Sequence, residues 1–107
     1  MTYPLDVTEA QIKEWKKKYK EVHLVTVPAT EDDQEELYGY FRKPDLKVIG
    51  AAGQVGAKDP IKGGEILFNS CLLKSSPELK ENDEAKLGAI KQLNTLFKPR
   101  AASVKKL

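Results

Sequence analysis

Residues 41–73, FRKPDLKVIGAAGQVGAKDPIKGGEILFNSCLL, decide the fold, because Pro and Gly punctuate the passage from the end of a strand into two short helices. Lys43-Pro44-Asp45 ends the strand: Pro44 donates no ladder hydrogen bond and holds Lys43 extended, while the Asp45 carboxylate can accept from the first amides of a helix. The spacing predicts that helix from about Leu46, with Leu46, Ile49 and Ala52 or Gly53 as its apolar stripe and Gly56 as its stop. Asp59 then reads as an N-cap and Pro60 as the first helical residue, where a missing N–H costs nothing. Ile61, Glu65, Phe68 and Leu72 lie along one side of the second helix, with Leu67 and Cys71 beside them, and this side is expected to face the core. Gly63-Gly64 costs on the order of 1 kcal/mol per residue relative to Ala in a helix interior, so the pair predicts close helix packing or a kink.

Upstream, Thr8 and Gln11 form a capping box and Val7 and Ile12 a hydrophobic staple, which together predict a helix start. Ile12, Trp15 and Tyr19 give that helix a narrow apolar stripe, opposite a basic face of Lys13, Lys16, Lys17 and Lys20. EVHLVTV, residues 21–27, is β-branched and short, and Pro28 ends it as a strand. ELYGYFR, residues 36–42, is its match across a polar connector, and so short a link predicts an antiparallel hairpin. Downstream, KSSPELKE reads as a loop turning at Ser76-Pro77. Asn82 then caps a last amphipathic helix carrying Leu87, Ile90, Leu93 or Asn94, and Phe97, which is expected to run to about Lys98 before Pro99.

These elements predict an α+β fold with an N-terminal helix, an antiparallel two-stranded hairpin and three helices packed on it. One domain over residues 1–98 is followed by a basic tail over 99–107, unstructured until bound or forming a short helix. A net charge of +2, from 18 Lys+Arg against 16 Asp+Glu, is too slight to argue for nucleic acid on bulk electrostatics. A small nucleic-acid-binding module is the rival reading, using the Lys13–Lys20 face, whose interleaved acids favour plain solvation, and the basic tail.

The chemistry of bond making finds no support. A single cysteine excludes an internal disulfide and a cysteine-based zinc site, and the apolar neighbours of Cys71 predict a buried thiol. His23 is the sole histidine, and the acids Glu31, Asp32, Asp33, Glu35 and Glu36 lack the alternating spacing and central Gly of a calcium loop. Gly50, Gly53 and Gly56 make neither a dinucleotide fingerprint nor a P-loop and are expected to serve helix packing. No catalytic, metal or cofactor-binding residue is therefore assigned. The absence of a signal-peptide pattern and of a run of roughly 20 apolar residues leads to an intracellular expectation.

Alternation along the hairpin sets Leu37 and Phe41 against Tyr38 and Tyr40, and Val22 and Leu24 against Val25 and Val27, so both faces are partly apolar. One face must pack on helices, and the other face or a free edge is expected to meet another chain, by self-association through the hairpin or by binding a protein partner. Tyr38, Tyr40, Val25 and Val27, with Phe97 at the end of the last helix, are the candidate protein-binding residues.

Tyr40-Phe41-Arg42-Lys43-Pro44-Asp45, then Asn69-Ser70-Cys71, then the amphipathic run Leu87 to Phe97 resemble the small tail proteins of tailed bacteriophages and prophages, the tail assembly chaperone type in particular. The resemblance covers roughly residues 36–98. It implies a non-enzymatic protein of the bacterial host cytoplasm that binds a long helical tape-measure protein and keeps it soluble while tail-tube subunits assemble. A structural tail or head–tail component is the neighbouring reading.

Overall fold

A computed structural model describes residues 3–30, 35–97 and 100–107. After a 3-10 turn at Pro4–Asp6, Thr8 caps helix α1 (Glu9–Tyr19), its Oγ1 accepting from Gln11 N–H at 3.2 Å. Lys20, at φ 68 and ψ −52, then reverses the chain in a tight γ-turn closed by Glu21 N–H to the Tyr19 carbonyl at 2.8 Å. Strands β1 (Val22–Pro28) and β2 (Glu36–Arg42) pair antiparallel in the hairpin that alternation predicts, with Val25 opposite Gly39. Helices α2 (Leu46–Gly56) and α3 (Pro60–Cys71) follow within a residue of their expected bounds. Asp45 caps α2 through Val48 N–H at 2.9 Å, and Asp59 caps α3 through Lys62 N–H at 3.2 Å.

The stretch expected as a loop is ordered differently. Leu72–Ser75 form a third strand, β3, antiparallel to β2, and Pro77–Glu81 form a short helix, α4, before α5 (Asp83–Leu93). The hairpin is thus part of a three-stranded sheet in the order β1-β2-β3, and four helices follow it among the described residues rather than three. Phe41 pairs with Leu72 but Tyr40 with Lys74, so Leu73 is the extra residue of a bulge. Ser76 anchors the new helix. Its N–H donates to the Tyr38 carbonyl at 2.9 Å, and its Oγ accepts from Tyr38 N–H at 3.0 Å. The last helix ends at Leu93 in a turn, earlier than its apolar spacing predicts; the expected limit at Lys98 and the Pro99 stop lie outside the described residues. Residues 100–107 are exposed and take no helical or strand conformation.

The sheet is covered on both faces. Val25, Leu37 and Phe41 point into the main core with Leu67, Phe68, Cys71, Leu79, Ala89 and Leu93, and the Phe41 and Phe68 rings meet edge to face at 5.3 Å. Gly39, midway along β2, leaves room for that packing: a Cβ there would lie 2.5 Å from the Phe41 ring and 2.7 Å from Leu79 Cδ2. On the other face α1 lays Trp15 on Tyr40 at 5.4 Å. The two helices of the opening stretch touch at glycine. A Cβ on Gly63 would fall 2.6 Å from both the Ala52 carbonyl oxygen and Gly56 Cα, so α2 and α3 meet backbone to backbone. Helix packing thus accounts for Gly56, whereas Gly50 and Gly53 face open space with no atom within 4 Å of a Cβ.

Candidate polypeptide-binding surfaces

The five candidate protein-binding residues, four from strand alternation and Phe97 from the last helix, do not come together. Tyr40 is 2% exposed, and its hydroxyl donates to the Pro4 carbonyl at 2.7 Å; Val25 is 7% exposed within the core. Both are occupied by the chain itself: α1 and the 3-10 turn cover Tyr40 on one face of the hairpin, and the main core takes Val25 on the other. Burial also raises the Tyr40 phenol above its ordinary pKa, with the neighbouring Tyr3 and Tyr38 adding to it. Tyr38 is half-buried on the α1 side, near exposed Leu24 and Thr26. Val27 is half-buried on the opposite face beside a hollow of about 440 Å³ shared with Pro28, Ala29, Asn82 and Ala85. Phe97 is half-buried beyond the end of α5.

Arg42 ties three helices to the end of β2. Its Nε donates to the Ser70 carbonyl at 3.1 Å in the last turn of α3, its guanidinium lies 3.5 Å from Asp45 Oδ2, and it sits over the Tyr19 ring at 5.6 Å. Cation and helix C-terminus are electrostatically matched there. The Arg-Lys-Pro-Asp run therefore acts as a joint. Nearby, Glu21 bridges Lys43 at 3.3 Å and His23 at 3.3 Å, and Lys43 is the chief cause of its lowered pKa.

A concavity with two exposed apolar side chains on its walls lies between α3 and α5 and escaped the alternation argument. Ile61 is 61% exposed and Leu87 50% exposed; together with Ile90, Glu65, Asp83 and Lys86 they line a groove of about 310 Å³. The sequence places Ile61 on the core side of its helix and Leu87 in the apolar stripe of the last one. The cause of their exposure is the close approach of the two helices, with a Cβ on Gly64 reaching within 3.0 Å of Ile90 Cγ2. Contact along the Gly64–Ile90 line leaves the flanking Ile61 and Leu87 proud of it. Glu65 between Ile61 and Phe68 was the available signal, since a carboxylate in a core stripe marks the rim of the buried zone. Lys86 reaches back over the Phe68 ring at 5.3 Å.

Cys71 is fully buried, and burial pushes its thiol above the ordinary pKa, with Arg42 a smaller opposing influence. Among the described residues no group of three or more His, Cys, Asp and Glu side chains gathers to hold a metal, and no helix is long and apolar enough to cross a membrane. Lys13, Lys16, Lys17 and Lys20 are exposed on α1.

No family model matches this sequence, and no curated protein matches it. Among solved structures it is similar to the uncharacterised protein rbstp2171 from Bacillus stearothermophilus, with a TM-score of 0.60 and 20% identity over 89% of this chain and 99% of that one. At that identity the two proteins share a fold, and the likeness extends no further.

Proposed function

We propose that this chain is a non-enzymatic protein of the phage or prophage tail assembly chaperone kind, which holds a helical, tape-measure-type polypeptide during tail morphogenesis. The α3–α5 groove carries this reading: two large apolar side chains stand open over an apolar floor, rimmed by Glu65, Asp83 and Lys86. Such a groove suits the apolar face of an amphipathic helix, whose own charges meet the rim. The resemblance in Tyr40 to Asp45, Asn69 to Cys71 and Leu87 to Phe97 supplies the identity of the occupant. Of its residues, Leu87 stands on the groove wall, while Asp45 caps α2 and Cys71 ends α3.

Calorimetric titration with a helical segment of a phage tape-measure protein tests the reading. Binding that varies little with salt, and that Leu87→Asp weakens at least about tenfold while the circular dichroism stays native, is the expected result. Absence of the chain from purified virions by mass spectrometry is expected as well. Its presence there points to a structural tail component, and tight, steeply salt-dependent binding to DNA or RNA points to the lysine face of α1 instead.

A further inference from the structure

β1 stands at one edge of the sheet, with no strand on its outer side among the described residues, and His23 to Thr26 share a hollow of about 240 Å³ with Gln92, Thr95 and Leu96. Edge strands of stable monomers are short, bulged or interrupted by charge and Pro. The opposite edge, β3, follows that pattern with four residues, a bulge and Lys74. β1 has seven residues, VHLVTVP, with no Lys, Arg, Asp or Glu among them and its Pro at the last position.

The register fixes which backbone groups are free. Ala29 N–H donates to the Glu35 carbonyl at 3.0 Å, so in steps of two Val27, Val25 and His23 bond to β2. Val22, Leu24 and Thr26 then turn their N–H and C=O groups away from β2, and Pro28 turns only its carbonyl. We propose that this edge pairs antiparallel with β1 of a second copy of the chain, about a two-fold axis at Val25, joining two three-stranded sheets into one.

That axis matches the free groups to themselves. Leu24 of each copy exchanges hydrogen bonds with Thr26 of the other, and Val22 N–H reaches the carbonyl of Pro28, whose missing donor falls harmlessly at the outer end. The two Val25 residues form the intervening non-bonded pair. Each sheet face continues across the seam, since Leu24 meets Thr26 and His23 meets Val27.

Charge selects the same arrangement. Exposed Lys16, Lys17, Lys18 and Lys20 precede β1, whereas the connector leaving it carries Glu31, Asp32, Asp33, Glu35 and Glu36 in sequence. In sequence terms, antiparallel pairing sets the lysine-rich stretch that precedes each β1, with Glu21 at its end, against the acidic stretch that follows the other. A parallel pair would set like against like. The inference stands apart from the groove and from what fills it.

Sedimentation velocity on the full chain, from about 5 to 200 μM at low and high salt, is the test. The mass is expected to rise with concentration from 12.0 kDa to twice that value, and less readily in high salt. Leu24→Lys with Thr26→Lys, both at exposed positions, is expected to weaken association at least about tenfold with native circular dichroism. Amide exchange by NMR on the unmodified chain is a second readout if that variant unfolds: Leu24 and Thr26 should gain protection with concentration, while Val25 and Val27 are protected throughout. A 12.0 kDa species at every concentration in low salt, or exchange at Leu24 and Thr26 that ignores concentration, overturns the proposal.

Discussion

Asp45 stands between β2 and α2, and its carboxylate does two things there. It accepts the Val48 amide at 2.9 Å, which is the main cause of its lowered pKa, and it faces the Arg42 guanidinium at 3.5 Å, which lowers it further. A carboxyl group whose folded pKa lies below its unfolded one adds stability above the ordinary Asp value of about 3.9, and loses that contribution as the pH falls through the folded value. The wild type should therefore lose more stability than Asp45→Asn between about pH 6 and pH 3, as urea midpoints at the two pH values will show. Equal losses would mean that the cap does not depend on charge. The sequence alone placed this residue, because a cap needs a short polar side chain just before an apolar run and Pro44 excludes any earlier start.

At the scale of elements, glycines separate packing from propensity. Gly63→Ala drives a methyl group into the backbone of α2 and should cost about 1–3 kcal/mol, because neither the Ala52 carbonyl nor Gly56 Cα can rotate away. Gly50→Ala and Gly53→Ala meet no atom within 4 Å and should each stabilise by about 0.5–1 kcal/mol through helix propensity. Thermal melts of the three variants check both signs. The sequence announced close packing at Gly63-Gly64, and helices α1, α2 and α3 were legible because each carries a capping residue followed by periodic apolar positions. β3 and α4 were not. Four residues make too short a strand to show alternation, and Lys74, Ser75 and Ser76 read as a loop until Ser76 is found bonded both ways to Tyr38. Ser76-Pro77 was the missed sign, since the pair suits an N-cap and first helical position as well as a turn. The groove was hidden for a related reason: periodicity identifies an apolar stripe but cannot show where its neighbour stops covering it.

For the molecule as a whole, the placement of α1 matters most. By closing over Tyr40 it covers that part of one hairpin face, and large apolar side chains stay exposed at Leu24 on β1, at Ile61 and Leu87 on the α3–α5 groove, and at Leu46 on α2, which the apolar stripe of that helix predicts to lie inside. The core beneath has one more property. Cys71 is the chain's sole cysteine and is 0% exposed, at the junction of α3 and β3 behind Phe41 and Phe68. A thiol reagent can reach it only when that junction parts, so modification in native buffer should run at least about a hundredfold slower than in denaturant. Mass spectrometry of timed aliquots would measure this, and comparable rates would show a core that is not closed. One sulfur atom thus serves as a covalent recorder of how often the interior is breached, with no competing thiol to subtract.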